Sequence, residues 1–167
     1  GNLIPDGDYN DIPSRRLKAD TLRKFGYSVG SYQGQTVHIA PYRNKAGELV
    51  ARHIRFTSKD FKWTGNAKEV CLFGQHLWGE KGRMLIITEG EIDAMSISQI
   101  QGNKYPVVSI PNGAGGAKKA IRGQLDWIET FEKVILAFDN DEPGQLAAHE
   151  CALLLKPGKA HIAVFPH

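Results

Sequence analysis

Four carboxylates in the second half of the chain have the residue types and spacing to hold a divalent metal ion. Glu89 and Asp93 follow one short apolar run, and Asp139 and Asp141 follow another. Each run has the length of a buried strand, so each acidic group marks a point where a strand ends and a helix begins. Open parallel sheets bind ligands at this edge. Carboxylate oxygens suit Mg²⁺, and Mg²⁺ commonly serves phosphate chemistry.

The spacing within each group predicts which side chains face one another. Asp93 lies four residues after Glu89, which is one turn of a helix. Asp139 and Asp141 are two residues apart and point to the same side of an extended backbone. The groups can meet only if the strands before them are neighbours. Taken separately, Glu89 fits a helix cap and the aspartates fit an ordinary turn, but their occurrence at two equivalent strand ends favours a shared metal site.

A calcium-binding EF-hand loop that begins at Asp139 is a weaker alternative. Asp141, Gly144 and Glu150 fall at positions that such a loop requires. However, Pro143 occupies a position that is normally a ligand, and the preceding segment has the composition of a strand where the motif needs a helix. The sequence therefore favours the metal site at the strand ends.

A glycine-rich loop, residues 112–117, precedes Lys118 and Lys119. Glycines allow backbone N–H groups to approach an anion, and Lys118 would stand beside it. The segment matches neither the Walker A loop nor the dinucleotide-binding fingerprint. A plain tight turn explains it equally well, so anion binding at Lys118 stays open.

The distribution of apolar residues predicts an α/β fold in two parts. In residues 81–167, strands alternate with helices, which indicates a mostly parallel sheet flanked by helices. In residues 1–80, alternating segments at 28–40 and 48–56, joined by a hairpin turn at 44–47, indicate a small mixed α+β subdomain with an antiparallel sheet. The predicted strands of the second part are 84–88, 106–110, 134–138 and 161–165, and its helices are 91–101, 116–128 and 144–155.

The composition is that of an ordinary globular protein with a mild positive charge. The 167 residues include 41% hydrophobic and 23% charged residues, with a net charge of +3, which is compatible with a polyanionic partner. The sequence has no apolar run of transmembrane length and no signal peptide pattern, so we expect no membrane association. The two cysteines, Cys71 and Cys151, form no Cys-x-x-Cys motif, which excludes a zinc ribbon within this chain and fits a reducing cytosol.

Basic residues concentrate in the first part and include His53, Arg55, Lys59 and Lys62. Aromatic residues beside them, such as Trp63, are typical of surfaces that bind nucleic acids or nucleotides. The segment 61–65 is expected to reach across a cleft toward the acidic edge.

The acidic motifs resemble those of the TOPRIM family, which includes primases, topoisomerases and nucleases. The pattern is an apolar strand followed by Thr88-Glu89-Gly90-x-x-Asp93, and a second strand that ends in Asp139-x-Asp141. Longer strings over about residues 15–166 resemble the primase half of the primase–helicases of short-tailed phages of the T-seven type. Those strings are residues 61–65, 72–78, 87–93, 104–109 and 138–144.

This resemblance implies a DNA primase, a nucleotidyltransferase that copies single-stranded DNA into short RNA primers from ribonucleoside triphosphates. It implies that four carboxylates hold Mg²⁺ or Mn²⁺: Glu89, Asp93, Asp139 and Asp141. Of these, Glu89, Asp139 and Asp141 are expected to be catalytic, with Glu89 also a candidate general base. By the same resemblance Arg55, Lys59 and Lys62 contact nucleotide or template. His53 stands where a lysine is expected, which puts that contact in doubt.

The resemblance also implies a larger protein in the cytoplasm of an infected bacterium. The family has an N-terminal module that binds zinc and a helicase domain that follows, and neither is in this sequence. A further metal-binding Asp is expected just beyond residue 167, so we expect an excised catalytic core whose partners include the helicase domain and replisome proteins. A TOPRIM nuclease and a non-catalytic module that binds nucleic acid are the alternative functions.

Overall fold

The computed structural model describes residues 3–164, which form two four-stranded sheets. The first sheet is antiparallel and has the strand order β1-β2-β3-β4. Its strands are β1 Ser28–Tyr32, β2 Gln35–Arg43, β3 Leu49–Phe56 and β4 Phe61–Gly65, and helix α1 Ala19–Phe25 precedes them. The mixed α+β character predicted for the first part is confirmed.

The segment predicted as one strand at 28–40 is in fact a hairpin. Gln33 and Gly34 form its turn, both with positive φ (51° and 78°), and glycine takes this conformation without steric cost. The alternation of apolar residues continues on both sides of the turn, so the pattern alone did not reveal the break. Strand β4 was also missed, because it is short and largely exposed.

One face of the first sheet is covered by the N-terminal segment. Asp8 pairs with Val29 of β1 through backbone hydrogen bonds. Arg52 on β3 is 7% exposed and forms an ion pair of 2.7 Å with Asp6. Residues from Ile4 onward therefore dock on this face and leave the other face of the sheet for the second part of the protein.

The second sheet is parallel and has the strand order β6-β5-β7-β8. Its strands are β5 Met84–Thr88, β6 Val107–Ser109, β7 Lys133–Phe138 and β8 Ala160–Val164. The helices are α2 Glu91–Ile100, α3 Ala117–Gly123, α4 Leu125–Ile128 and α5 Glu142–Ala152. The predicted α/β alternation is confirmed, although the helix expected at 116–128 is interrupted at Gln124. Residue 165, the end of the predicted last strand, lies outside the described residues.

A shared core joins the two sheets. Phe73, between β4 and β5, exchanges backbone hydrogen bonds with Ser109 of β6. Its ring packs against Phe25 and Tyr42 of the first part, in a buried cluster that also includes Met95 of α2. The antiparallel sheet therefore lies against the edge of the parallel sheet. Among residues 3–164 no helix is both long and apolar enough to cross a bilayer.

Candidate metal and nucleotide site

The two acidic groups meet because β5 and β7 are neighbouring parallel strands. Thr88 at the end of β5 is in register with Ala137 of β7, so Glu89 and Asp139 leave the sheet side by side. The backbone N–H of Asp139 donates a hydrogen bond of 3.2 Å to Glu89 Oε1. The requirement that these two strands be adjacent is thus confirmed.

Asp141 is held at the same edge by the start of helix α5. Its Oδ1 accepts a hydrogen bond of 2.7 Å from the N–H of Gly144 and caps the helix. A Cβ built on Gly144 would lie 2.9 Å from Asp141 Oδ1 and 3.0 Å from Glu89 Oε1. The two carboxylate oxygens are therefore no farther apart than these two distances together, and only a glycine leaves the space between them open.

The close approach of these carboxylates changes the acidity of Glu89. Burial raises the pKa of Glu89 above its ordinary value, and the negative charges of Asp139 and Asp141 raise it further. The N–H of Asp139 opposes this shift because it favours the ionised form. A cation at this edge would relieve the repulsion among the three carboxylates.

Asp93 lies in the first turn of α2, beside the loop that carries Glu89. Its Oδ2 would be 3.6 Å from a Cβ built on Gly90, and its side chain is partly buried. Asp93 is therefore placed next to the acidic edge, and its role as a metal ligand stays a prediction.

The face of the antiparallel sheet that is turned toward the second part presents an aromatic and basic surface next to this edge. His53 and Arg55 lie on the same face of β3, opposite Trp63 and Phe61 of β4. The His53 ring stacks on Trp63 with 4.5 Å between centroids and contacts Phe61 edge-on at 5.2 Å. The Phe61 side chain is 63% exposed, so part of this surface is open to a ligand.

Glu91 connects this surface to the start of α2 and was not identified from the sequence as a functional residue. It accepts a hydrogen bond from the hydroxyl of Tyr42, and the same oxygen lies 3.0 Å from His53 Nδ1. The side chains of Glu91 and His53 are only 10% and 14% exposed. The one available signal was that Glu91 lies between Glu89 and Asp93 in the acidic motif. We call Tyr42, His53 and Glu91 the interdomain triad.

Comparisons with known proteins agree on one family. The family model described as "Bacteriophage T7 DNA helicase/primase, N-terminal a+b fold" matches residues 7–65, and the model described as "Toprim-like" matches residues 86–167. A crystal structure of the primase fragment of the bacteriophage T7 primase–helicase is 38% identical in sequence and matches with a TM-score of 0.93. The match covers 99% of this chain and 70% of the chain in that structure. This chain belongs to the T7-type primase family of TOPRIM proteins.

Two further relatives extend the match. The DNA helicase/primase of Enterobacteria phage T3 is 38% identical over 161 residues, or 96% of this chain. This chain spans only 28% of the length of that relative. A structure of the bacteriophage T7 lagging-strand DNA polymerase, with primase domains of two subunits bound to an RNA/DNA hybrid and dTTP, includes a match of 39% identity and TM-score 0.90, covering 96% of this chain and 82% of that one.

The TOPRIM primase assignment implies a divalent metal ion, and the residues present fit one. Within residues 3–164, no group of three or more His, Cys, Asp or Glu side chains forms a complete metal site made of protein ligands alone. Mg²⁺ rarely needs one, because it binds through one or two carboxylates and completes its shell with water and substrate phosphates. The convergence of Glu89, Asp139 and Asp141 matches that donor set.

The structure does not bring all the predicted basic residues of this primase-family chain onto one surface. Arg55 is exposed on the face that carries His53. Lys62 alternates to the opposite face, where its ammonium lies 5.3 Å from the centre of the Tyr32 ring. Lys59 lies in the exposed turn between β3 and β4 with a φ of 73°, and Lys118 on α3 pairs with Glu150 of α5 at 3.4 Å. Of these four, Arg55 is best placed to contact a ligand in the cleft.

Proposed function

We propose that this chain is the catalytic core of a phage DNA primase. It would join ribonucleotides into short RNA primers, directed by a single-stranded DNA template. Membership of the T7-type primase family supports this activity. The observation that carries it is the convergence of Glu89, Asp139 and Asp141 at adjacent strand ends, beside the aromatic and basic surface of the other sheet.

Glu89, Asp139 and Asp141, with Asp93 beside them, would hold Mg²⁺ or Mn²⁺. The bound metal supplies two effects, a lower pKa of the attacking 3′-hydroxyl and neutralisation of charge on the triphosphate. The carboxylates position that chemistry because Glu89 and Asp141 are each fixed by a backbone N–H. These hydrogen bonds engage one oxygen of each and leave the second for coordination.

Glu89 is also suited to accept the proton of the attacking hydroxyl. A general base works best when its pKa approaches the working pH, and burial together with the neighbouring aspartates shifts the pKa of Glu89 in that direction. The phosphodiester bond then forms between the 3′-oxygen and the α-phosphorus of the incoming nucleotide, and pyrophosphate leaves.

The aromatic and basic surface of the antiparallel sheet would hold the nucleotides and the template. The exposed ring of Phe61 can stack on a base, and Arg55 can bind a phosphate. His53 stands in the place expected for a lysine, but its Nδ1 faces Glu91. We therefore assign His53 to the support of Trp63 and Phe61 by ring stacking. Lys59, Lys62 and Lys118 stay candidates for contacts farther along the strand of DNA.

In the intact protein we infer additional parts. The family resemblance implies a zinc-binding module before this core and a helicase domain after it, with replisome proteins as partners. We also infer that the division of this chain into two units falls near residue 80, and that the protein acts in the cytoplasm of the infected bacterium.

A primer synthesis assay tests the proposal. The parent chain, a mixed-sequence single-stranded DNA template, labelled ribonucleotides and Mg²⁺ or Mn²⁺ should yield RNA dinucleotides and longer products. Glu89→Gln and Asp139→Ala should abolish them, whereas Asp126→Asn, at an exposed position on α4, should leave them unchanged.

Two outcomes would contradict the primase assignment. Metal-dependent nicking of closed circular DNA without RNA synthesis would indicate a TOPRIM nuclease. Unchanged DNA binding, with no product from the parent or from Asp139→Ala, would indicate a non-catalytic binding module.

A further inference from the structure

A large cavity lies between the two parts of the protein and is lined in part by Trp63. Its volume is about 970 Å³. Four cationic side chains line it: Lys45 from the turn after β2, Lys68 from the segment after β4, and Lys119 and Arg122 from α3.

The positive charge of this cavity is not neutralised by the protein. Glu69 is the only carboxylate among its described lining residues. Within residues 3–164, no carboxylate oxygen lies within 4.0 Å of the charged nitrogens of Lys45, Lys68, Lys119 or Arg122. A concave wall lined by one sign of charge concentrates its field and attracts counter-ions. The net positive charge of the cavity therefore favours a polyanionic ligand.

The remaining lining favours a ligand that also has an apolar part. Trp63, Val70, Pro111 and Ala120 contribute apolar surface between the cations. Free phosphate or a bare polyphosphate would leave this surface in water, whereas a nucleoside carrying several phosphates would cover both kinds of lining. The chemistry of the walls favours a nucleotide.

The lining of the cavity includes residues that follow the carboxyl end of β6, and the acidic edge lies at the same end of the parallel sheet. Trp63 Nε1 donates a hydrogen bond of 3.1 Å to Asn112 Oδ1, and both residues line the cavity. Asn112 lies three residues after Ser109, the last residue of β6, and β6 is the immediate neighbour of β5, the strand that Glu89 follows. None of the four carboxylates lines the cavity, so an initiating nucleotide has to extend its 3′-hydroxyl beyond the cavity to meet them.

Primer initiation requires a second triphosphate site. The first bond joins two nucleotides bound at once: the 3′-oxygen of one bonds to the α-phosphorus of the other, the bond to its β-phosphate breaks, pyrophosphate leaves, and the hydroxyl proton passes to Glu89. The triphosphate of the incoming nucleotide reacts at the acidic edge. The initiating nucleotide keeps its own 5′-triphosphate, which needs cations elsewhere.

We propose that this cavity binds the 5′-triphosphate of the initiating ribonucleotide, through Lys45, Lys68, Lys119 and Arg122. The assignment rests on the proposed primase function. It predicts that the cavity matters for the first bond and not for later ones, because after initiation the growing 5′ end moves away from the acidic edge.

Initiation by different 5′ nucleotides tests this site. The initiating partner is supplied as a nucleoside triphosphate or as the unphosphorylated nucleoside, and the KM for dinucleotide formation is measured. For the parent, the KM of the triphosphate should be lower than that of the nucleoside by about tenfold or more, which corresponds to the free energy of one charge-assisted hydrogen bond. The double variant Lys119→Ala/Arg122→Ala should lose this preference, but should extend a preformed RNA dinucleotide without 5′-phosphates at the parental rate. Lys133→Ala, at the opposite end of the parallel sheet, is the matched control.

Equilibrium binding in EDTA gives a readout that does not depend on catalysis. Without divalent metal, ATP should bind the double variant about tenfold more weakly than the parent or Lys133→Ala. An unchanged affinity would overturn the proposal, as would an unchanged preference for the triphosphate during initiation. Displacement of ATP by single-stranded DNA that equally requires Lys119 and Arg122 would assign the cavity to the template instead. If the parent makes no RNA, the primase function fails while this binding test still decides whether the cavity takes a triphosphate.

Discussion

The substitution Tyr42→Phe is predicted to destabilise the protein by removing a single hydroxyl group from the interdomain triad. The Tyr42 side chain is 1% exposed, and its hydroxyl donates to Glu91 at the start of α2. The ring packs against Trp63 and Phe73 with centroids 4.8 and 5.6 Å apart. Phenylalanine preserves these ring contacts, so the decrease in the free energy of unfolding measures the hydrogen bond between the two parts of the chain.

The contacts of Glu91 determine how large this decrease in the free energy of unfolding should be. A hydrogen bond to a charged group contributes about 1.5–3 kcal/mol. Glu91 retains its contact with His53 in the variant, so no buried carboxylate is left without a partner and the loss should stay in that range. For a chain of 167 residues, about 2–4 °C of melting temperature correspond to 1 kcal/mol. We therefore expect the melting temperature to fall by about 3–12 °C.

Urea denaturation of the parent and the variant, followed by circular dichroism, measures the free energy of unfolding. Tyr32→Phe is the matched control, because Tyr32 lies on the opposite face of the same sheet and its hydroxyl has no hydrogen-bond partner among residues 3–164. That control should change the free energy of unfolding by less than about 0.5 kcal/mol. Equal losses for Tyr42→Phe and Tyr32→Phe would show that the triad does not stabilise the junction.

Three further predictions concern the acidic edge and the first sheet. Gly144→Ala places a Cβ 2.4 Å from the carbonyl oxygen of Asp139, so it should cost about 1–3 kcal/mol of stability and abolish primer synthesis, whereas Gly79→Ala, with open space around its Cβ, should do neither. The folded state raises the pKa of Glu89. The free energy of unfolding in EDTA should therefore fall as pH rises from the ordinary glutamate pKa through the raised one. Glu89→Gln should remove this pH dependence, and urea titrations at pH 7 should show that the metal-free variant is more stable than the parent. Burial, assisted by two arginines, lowers the pKa of His38, so stability should decline as pH drops below about 6.5, and His38→Asn should flatten that decline in melting curves at pH 5.5 and 7.5.

The acidic edge could be predicted because its signals are local. Each carboxylate group follows an apolar strand directly, and the alternation of strands and helices implies a parallel sheet whose carboxyl ends share one edge. That β5 and β7 are neighbours does not follow from the local pattern, since β6 intervenes in the chain. The adjacency depends on strand order, which the structure supplies.

The antiparallel part was less predictable because its contacts depend on register. The sequence shows a stretch of alternating residues, but the turn at Gln33 and Gly34 decides which residues of β2 face the second sheet. A shift of one residue would move every side chain to the other face. For the same reason the sequence could not separate Arg55 from Lys62, which lie on opposite faces of the sheet.

The interdomain triad explains why the two parts must be folded together for the site to exist. Glu89, the residue that follows β5, and Glu91, the first residue of α2, are separated only by Gly90, so contacts that hold Glu91 also restrain the loop that carries Glu89. Tyr42 and His53 supply that restraint from the other sheet. His53 also stacks on Trp63, and Trp63 donates a hydrogen bond to Asn112 in the lining of the cationic cavity. The acidic edge, the aromatic surface and the cavity are thus positioned by one connected set of side-chain contacts. A change in the angle between the two sheets would displace all three at once, whereas a side-chain change confined to the cavity leaves the acidic edge in place.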